Sequence, residues 1–320
     1  MDVRHLELLR ELAVRGTLAA VAEATFRTPS AVSQQLRTAE RELGLALVEP
    51  VGRGLRLTAE GQLLAESAEE VTEVIARVRA RLDAARGEPR GRVSIGTLPS
   101  AGAALLPGTV RLLRERTPGI ELVLDDFDLA EADYATRTLD VDVVIAHSLT
   151  GDVPAGAEGL ATRVLVREPI DVAVPATHPL VGRSALRPRD LAGTRWIGVP
   201  TGYPFDSILV AVEAELGEPL ERRVRLRDNR LIESLVPTGT DLALLPRFTT
   251  PAVEGMRLVP LEGVRARRSI TALSRTDRAA RQAVRTVVEA LVETGAGLAQ
   301  RSGTSDAAAP APTESRSAAD

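Results

Sequence analysis

The chain has 320 residues, of which 44% are hydrophobic and 26% are charged, so its composition is that of a globular protein with about two domains. It contains no cysteine, which excludes disulfide bonds, thiol nucleophiles, iron–sulfur clusters and cysteine-ligated zinc. All 40 basic residues are arginines and the net charge is −4, so any binding of nucleic acid has to come from a local arrangement of arginines.

Three further features narrow the class of protein. The histidines His5, His147 and His178 lie far apart without the spacing of metal ligands, so we expect no metal site and no cofactor. No run of about 18 apolar residues predicts a membrane span, and the charged amino terminus does not resemble a signal peptide. We therefore expect a cytoplasmic protein.

The first part of the chain is predicted to form three short helices. Leucines at helical spacing identify the first helix, which ends at Gly16, and a short second helix follows. Thr28 then precedes Pro29, which suits the first position of a helix because its missing N–H costs no hydrogen bond there. This third helix is expected to run to about Leu43 and to stop at Gly44.

The third helix has two different faces. Apolar residues share one side and would pack on the first two helices. The opposite side carries Ser30, Ser33, Gln34, Arg37 and Arg41. Short polar side chains let a helix approach DNA closely, and glutamine or arginine can form paired hydrogen bonds with base edges. The pattern predicts a helix that enters the major groove, with Pro29 at its start.

Residues 45–57 predict a hairpin with Gly52-Arg53-Gly54 at its tip. An arginine between glycines suits a wing that reaches phosphate or the minor groove. The alternative is that these polar groups are only solvated, since residues 1–65 hold eight arginines and eight acidic residues. Helix-turn-helix spacing alone leaves both interpretations open.

The stretch from Thr17 to Gly61 resembles the winged helix-turn-helix of LysR-type transcriptional regulators. The resemblance rests on Ser30-Ala-Val-Ser-Gln-Gln-Leu-Arg-Thr-Ala-Glu-Arg-Glu-Leu-Gly44 and on Gly52-Arg-Gly-Leu-Arg-Leu-Thr-Ala-Glu-Gly61. It implies that the polar residues of the third helix face bases or phosphates and that Arg53 lies in the wing.

Three positions depart from the pattern that is usual in this family. Glutamine is usual where Pro29 stands, arginine where Pro50 stands and leucine where Thr25 stands. The missing arginine removes a backbone contact with DNA. We expect lower affinity or an atypical operator as the consequence.

Residues 59–87 predict one long linker helix with a heptad seam, which needs a partner to be buried. The seam consists of Leu64, Ala68, Val71, Ile75, Val78, Leu82 and Ala85. Acidic residues occupy the first half of the helix and arginines the second, so an antiparallel pair would set opposite charges against each other. We predict an antiparallel dimer; the alternative is that the seam packs on its own chain. The resemblance implies dimerisation through this helix, and often tetramers.

Gly87-Glu-Pro-Arg-Gly91 marks a domain boundary. Beyond it, short runs of valine, isoleucine and leucine alternate with helical patterns, which is typical of an α/β domain with a mostly parallel sheet. The runs are Val93–Ile95, Ile120–Leu124, Val141–Ala146, Ile170–Val174, Trp196–Val199 and Leu242–Leu245. The last stretch, 299–320, is rich in alanine, proline, serine and threonine and is predicted to be a disordered tail.

Together these observations predict a multi-domain fold: an all-α winged helix-turn-helix at 1–58, the linker helix at 59–87, and an α/β domain at 91–298. The resemblance implies that the last domain has the two-lobed fold of periplasmic binding proteins. Lobe one would comprise 91–165 and 268–298, and lobe two 166–267. A small-molecule effector would bind between the lobes.

Candidate effector contacts lie at turns from strand to helix, because ligands of open α/β sheets bind beyond the carboxyl ends of strands. Free N–H groups at such a turn suit an anion. The candidates are Thr97, Ser100, Ala101, His147, Thr201, Tyr203 and Arg247. The alternatives are that Thr97 and Ser100 only cap a helix and that His147 is structural. Aromatic residues make up 2% of the chain, which argues against a site of stacked rings.

The sequence thus favours a DNA-binding transcriptional regulator controlled by an effector. Its expected partners are double-stranded promoter or operator DNA, a small molecule that can be anionic, and a second copy in a dimer or tetramer; RNA polymerase is a further partner that the role allows. A solute-binding protein of a transport system would leave the first ninety residues without a role. An enzyme is not supported, since we find no nucleophile elbow, phosphate-binding glycine loop or metal cluster.

Overall fold

The computed structural model describes residues 2–52, 54–85, 87–127 and 131–305, without the side chains of 69, 79–80, 83–85, 132 and 302–305. These residues form two compact units. One unit contains the chain up to residue 89 together with 275–285, and the other contains 90–274 and the residues from 286 onward.

The first unit begins with a small helical domain that carries a hairpin. Its elements are α1 (Val3–Arg15), α2 (Leu18–Ala24), α3 (Pro29–Leu43), β1 (Val48–Val51), β2 (Gly54–Leu57) and α4 (Ala59–Ala85). The strands β1 and β2 pair antiparallel and form the predicted wing.

The ends of the first helices follow from local chemistry. Gly16 and Gly44 adopt left-handed conformations, with φ of 70° and 67°, and end α1 and α3. The hydroxyl of Thr17 accepts a hydrogen bond from the N–H of Ala20 at the start of α2. The hydroxyl of Thr28 accepts a hydrogen bond from the N–H of Ala31 at the start of α3. Pro29 occupies the first turn of this helix, as the sequence predicts.

The helices share one apolar core with the wing. Leu9 of α1, Val21 of α2, Leu36 of α3 and Leu47 before the wing are all buried in it. Gly61 lets α4 start against this core, because a Cβ atom there would lie 2.1 Å from the carbonyl oxygen of Leu47.

The two ends of the heptad seam on the linker helix α4 differ in burial. Ala65 and Ala68 are buried, and Leu64 packs against the core of the helical domain. Val78 and Leu82 are 52% and 55% exposed. The first turns of the helix therefore pack within their own chain, and the later turns present apolar side chains to solvent.

The second unit is an α/β domain. Its strands are β3 (Gly91–Thr97), β4 (Ile120–Asp126), β5 (Val143–Ser148), β6 (Ala161–Pro175), β7 (Arg195–Gly198), β8 (Glu221–Arg225), β9 (Leu242–Pro246), β10 (Met256–Val259) and β11 (Arg267–Ser274). Its helices are α5 (Pro99–Arg116), α6 (Tyr134–Arg137), α7 (Pro204–Leu216), α8 (Asn229–Leu235) and most of α10 (Gln282–Ser305), while the short α9 (Thr276–Ala279) belongs to the first unit. Short 3-10 helices occur at Glu131–Asp133, Pro179–Gly182, Pro188–Leu191 and Val236–Thr238.

The nine strands form one sheet in the order β4-β3-β5-β11-β6-β9-β7-β8, with β10 also paired to β6. The strand β3 pairs parallel with β4 and β5, and β7 pairs parallel with β8 and β9. The strands β6 and β11 pair only antiparallel with their neighbours in the described residues. The expectation of a mostly parallel sheet is therefore wrong for the middle of the sheet, where the chain crosses between its two halves.

The long strand β6 joins the two halves of the sheet. It pairs with β11 from Ala161 to Pro169 and with β9 from Ile170 to Ala173. We call the half with β3, β4, β5 and β11 lobe one and the half with β7 to β10 lobe two. Each lobe has a core of its own, around Tyr134 and Val144 in lobe one and around Trp196 in lobe two.

All six predicted apolar runs lie in or overlap strands. The strand β8 was not predicted, because its sequence, Glu-Arg-Arg-Val-Arg, is that of an exposed edge strand.

Near the end of the chain, α10 continues to Ser305, into the stretch for which the sequence predicts a disordered tail. Residues 306–320 lie outside the described part of the chain. No helix among the described residues is long and apolar enough to cross a membrane.

Candidate functional site

The polar face of α3 is open to solvent. Pro29, Ser30, Gln34 and Arg37 are exposed, and Ser33 is half-buried. The hydroxyl of Ser30 lies 3.0 Å from that of Thr28, and Nη2 of Arg37 lies at a long 3.4 Å from Oε1 of Gln34. Side chains that are held this loosely can turn towards an approaching duplex.

The neighbouring Gln35 has a different role, which the sequence did not reveal. Its amide nitrogen donates a hydrogen bond to the carbonyl oxygen of Arg4, and its amide oxygen accepts one from Nη1 of Arg27. Gln35 therefore ties α3 to the start of α1 and to the turn that precedes α3. This tie positions Gln34 on the exposed side.

The wing carries a surface ion pair, in which Nη2 of Arg56 lies 2.6 Å from Oε1 of Glu49. Pro50 is exposed on β1 opposite Leu55. Arg53, the predicted wing contact, lies outside the described residues.

A cavity of about 430 Å³ lies within the α/β domain, a size typical of sites for small molecules. Lobe one contributes the start of α5, Tyr134, His147 and Arg268 to its walls. Lobe two contributes the turn from β7 to α7 and the turn that leads into α8. The complete lining is Leu98, Pro99, Ser100, Ala103, Tyr134, His147, Val199, Tyr203, Pro204, Phe205, Arg227, Asp228, Asn229, Arg230 and Arg268.

Three of the predicted effector residues, Ser100, His147 and Tyr203, line this cavity. Thr97 and Ala101 do not; both are buried, and the hydroxyl of Thr97 donates to the carbonyl oxygen of Leu98.

The two remaining candidates also lie outside the lining. Thr201 is exposed to solvent. Arg247 forms two hydrogen bonds of 2.6 and 2.8 Å with the carboxylate of Asp171, which is buried on β6. Arg247 thus neutralises a buried charge, which is a structural role.

Arg268 is a charged residue of the cavity lining that the sequence did not single out. It is 2% exposed, and its Nε donates to Oε2 of Glu168 at 2.8 Å. Its Nη2 donates to the hydroxyl of Thr249 at 2.8 Å, and both Nη1 and Nη2 lie 3.4 Å from the hydroxyl of Ser100. A guanidinium has five N–H donors, so this network leaves Arg268 with hydrogen-bonding capacity at the start of α5.

The histidine of the cavity stays neutral. Burial, and then the positive charge of Arg268, lower the pKa of His147 from 6.5 to about 3. Its Nδ1 is buried and has no hydrogen-bond partner. The ring therefore combines a neutral surface with a polar atom that nothing in the described protein satisfies.

Comparison with known proteins identifies the families to which the helix-turn-helix region and the α/β domain belong. The model of bacterial regulatory helix-turn-helix proteins of the lysR family matches residues 3–62, and that of the LysR substrate binding domain matches residues 86–296. The chain belongs to the LysR family. It is a DNA-binding transcriptional regulator with an effector-binding domain, as the sequence predicts, and its relatives are regulators rather than enzymes or transport proteins.

Two relatives and one solved structure illustrate the range of this LysR-type regulator's similarities. The small neutral protease regulatory protein of Streptomyces coelicolor is 35% identical over 245 residues, which are 75% of this chain and 71% of that protein. The transcriptional dual regulator GltC of Bacillus subtilis is 26% identical over 249 residues, or 78% and 82% of the two chains. A full-length OxyR with a cysteine-to-aspartate substitution, from Pseudomonas aeruginosa, covers 91% of this chain and 94% of its own with a TM-score of 0.66 and 19% identity, which shows a shared fold.

Proposed function

We propose that this LysR-type regulator reads its operator with α3 and responds to an effector that binds in the cavity between lobe one and lobe two. The observation that carries the first part is the open face of α3, where Gln34 and Arg37 have only one long contact with each other. Gln34 would contact base edges, Arg37 bases or phosphates, and Arg53 the backbone or minor groove. Pro29, Ser30 and Ser33 would let the helix approach closely.

The effector signal of this chain has to be non-covalent or to use groups other than thiols. The OxyR structure with the shared fold carries a substitution at a cysteine, whereas this chain has no cysteine. The cavity, lined by Ser100, His147, Tyr203 and Arg268, is the site that supports reversible binding of a small molecule.

Dimerisation through α4 completes the proposal. Val74, Val78 and Leu82 expose apolar side chains along one stripe, beside the half-buried Val71 and Ile75. A second copy of α4 in antiparallel orientation would cover this stripe. Leu64, at the other end of the seam, contributes to the core of its own chain. Tetramers and a contact with RNA polymerase would build on this dimer.

In this proposal an effector changes the balance between two arrangements of the lobes, and paired α4 helices pass the change to the DNA-reading domains. The protein then acts in the cytoplasm, where the chromosome lies, and performs no catalysis.

The DNA-binding part is tested by selecting genomic fragments with the full-length protein and measuring affinity by fluorescence anisotropy. A specific fragment should bind at least about a thousandfold more tightly than a scrambled fragment of equal length. Equal affinity for both fragments at low salt would refute sequence-specific recognition.

The effector part is tested by filling the cavity. Ala103→Trp should abolish the response of DNA binding to any metabolite that changes it in the wild type, because Ala103 lines the cavity. Thr201→Trp is the matched control, since Thr201 lies nearby but outside the lining. If the Ala103 variant responds like the control, the effector binds elsewhere.

The dimer is tested by analytical ultracentrifugation. Val78→Arg combined with Leu82→Arg should yield monomers, because it places charge on the exposed apolar stripe. Gln62→Ala, an uncharged change at an exposed position of α4 outside this stripe, should leave the dimer intact. A dimer that survives the double substitution would place the interface outside this stripe.

A further inference from the structure

One phenylalanine of the helical domain is almost completely exposed. Phe26 lies in the turn between α2 and α3 and is 97% exposed, more than any other large apolar residue in the described part of the chain. The three other phenylalanines, Phe127, Phe205 and Phe248, are buried or half-buried. The ring of Phe26 adds nothing to the apolar core, so burial does not explain why phenylalanine stands there.

The backbone of Phe26 is also unusual. Its φ is 52°, and it is the one residue other than glycine with a left-handed conformation among the residues that the structure describes. Single exposed apolar residues are common on protein surfaces, but a bulky side chain at positive φ is crowded by its own backbone. Glycine or asparagine suits such a position better. A side chain that the fold disfavours points to a use outside the fold.

Hydrogen bonds of the turn require this left-handed conformation. The N–H of Arg27 donates to the carbonyl oxygen of Ala22 at 2.8 Å, and the N–H of Phe26 donates to that of Glu23 at 3.2 Å. These two bonds form a Schellman motif that ends α2, and Phe26 occupies its left-handed position. Nη1 of Arg27 also donates to Oε1 of Gln35 on α3. The exposed ring is therefore carried by a backbone that is fixed on both sides.

The turn leads directly into the helix that is proposed to read DNA. Thr28 caps the start of α3, and its hydroxyl lies 3.0 Å from that of Ser30. Four Cα-to-Cα steps separate Phe26 from Ser30, so the two Cα atoms lie within about 15 Å of each other. In helix-turn-helix proteins the N-terminal residues of the recognition helix contact base edges. The ring of Phe26 therefore lies beside the surface that would meet the duplex.

A phenyl ring can contact only some parts of a duplex. It has no hydrogen-bond donor or acceptor, so it does not pair with phosphates or with the polar edges of bases. The apolar group that the major groove presents is the C5-methyl group of thymine, and phenylalanine is among the side chains that contact it. Packing an exposed ring against this methyl group removes apolar surface of both from water.

We propose that Phe26 is a specificity-determining residue, whose ring packs against the C5-methyl group of a thymine at the edge of the operator segment that α3 reads. This inference rests on the proposed reading of DNA by α3. It adds a base contact that comes from the turn rather than from the polar face of the helix. It also accounts for phenylalanine at a left-handed position.

Removal of single methyl groups from the operator tests this contact. The probe is the genomic fragment selected with the full-length protein, in which each thymine is replaced in turn by deoxyuridine, which lacks only the methyl group. For the wild type, at least one replacement should weaken binding by about three- to tenfold in anisotropy titrations. For Phe26→Asn and Phe26→Gly the same replacement should have no effect, and both variants should bind the intact operator at least about threefold more weakly than the wild type.

Two outcomes of this titration would overturn the proposal. One is that every replacement has the same effect on the wild type as on both variants. The other is that the variants lose affinity equally for the operator and for a scrambled fragment, since that result would assign the ring to the sugar–phosphate backbone.

Thermal unfolding distinguishes a contact with DNA from a role in the fold. Asparagine and glycine tolerate the φ of 52°, so neither substitution should lower the Tm. A clear fall of the Tm in both variants would give Phe26 a structural role and refute the inference. Val14→Ala is the matched control, because it removes another exposed apolar side chain of the same domain, on α1, and should leave DNA affinity unchanged. An equal loss in the Val14 variant would deny Phe26 a specific role.

The same titrations distinguish failure of this inference from failure of the proposed function. If the wild type binds the selected fragment no more tightly than a scrambled one, the proposed function itself fails. If the wild type discriminates and the Phe26 variants discriminate equally well, α3 reads DNA without Phe26 and only this inference fails. A change in the sedimentation of the Phe26 variants without DNA would place the ring between copies of the chain and would also overturn it.

Discussion

The proposed DNA-reading face of α3 and the proposed effector cavity are built from opposite kinds of side-chain environment. On α3, Gln34 and Arg37 are exposed and touch each other only at 3.4 Å. In the cavity, Arg268 is almost fully buried and is held by Glu168 and Thr249. A surface that meets DNA can leave its donors free because water satisfies them until the duplex arrives. A buried sensing site has to satisfy its charges within the fold, so its ligand acts on a network rather than on a single side chain.

The largest expected difference between the two regions concerns the free energy of unfolding. Arg268→Leu should lower it by about 3–5 kcal/mol, because Glu168 would remain buried without its partner. Arg37→Leu should change it by no more than about 0.5 kcal/mol, since Arg37 is exposed. Urea unfolding, followed by circular dichroism and by the fluorescence of Trp196 in lobe two, measures both. Similar losses in the two variants would contradict the comparison.

The second prediction concerns two adjacent glutamines of α3. Gln34→Ala should cost about 1–3 kcal/mol of binding at particular base pairs of the operator and leave the other positions unchanged. Gln35→Ala should instead weaken binding to all sequences alike, because Gln35 anchors the helix to Arg4 and Arg27. Anisotropy titrations with single-base operator variants distinguish the two patterns. A uniform loss for the Gln34 variant would assign that residue to the DNA backbone.

The third prediction uses the lowered pKa of His147 in the cavity. The folded protein keeps this ring neutral down to about pH 3, whereas the unfolded chain takes up a proton below the ordinary pKa of 6.5. Stability is therefore lost as the pH falls below 6.5, by about 2 kcal/mol between pH 7 and pH 5 from this residue. His147→Phe should remove that part of the acid sensitivity, measured by urea unfolding at the two pH values. His178→Gln is the control and should have a smaller effect, since burial lowers the pKa of His178 less strongly. An unchanged pH dependence in the Phe variant would contradict the buried neutral state.

The smallest expected effect lies in the wing. Arg53→Ala should weaken binding to every DNA sequence and reduce the slope of log affinity against log salt by about one unit. Arg56→Ala serves as the comparison and should change the slope less. Arg56 is already paired with Glu49, so its contact with a phosphate would release fewer counterions from the DNA. Titrations at several salt concentrations measure both slopes. An unchanged slope for the Arg53 variant would remove the wing contact.

Within the effector domain, the prediction of strands succeeded where the segments are apolar and failed where they are charged. The strand β5 lies in the run Val-Asp-Val-Val-Ile-Ala. Its residues are buried, so the apolar sequence marks the strand directly. The strand β8 is Glu-Arg-Arg-Val-Arg at a sheet edge, so no period of apolar residues marks it. Thr97 and Ala101, which the sequence predicts as effector contacts, lie at the turn from β3 to α5 beside the cavity, but the side chains of both are buried.

The sequence by itself determined the domain that reads DNA. Each of its caps depends on residues within a few positions of one another, such as Thr28 with Ala31 at the start of α3 and Gly44 with Glu40 at its end, and local hydrogen bonds fix their geometry. Only the tertiary structure decided the cavity. Ser100, Glu168 and Arg268 are far apart in the chain and meet because the register of β6 and β11 sets Glu168 against Arg268 beside the start of α5. Strand register depends on the packing of the whole sheet, and no local pattern in the chain specifies it.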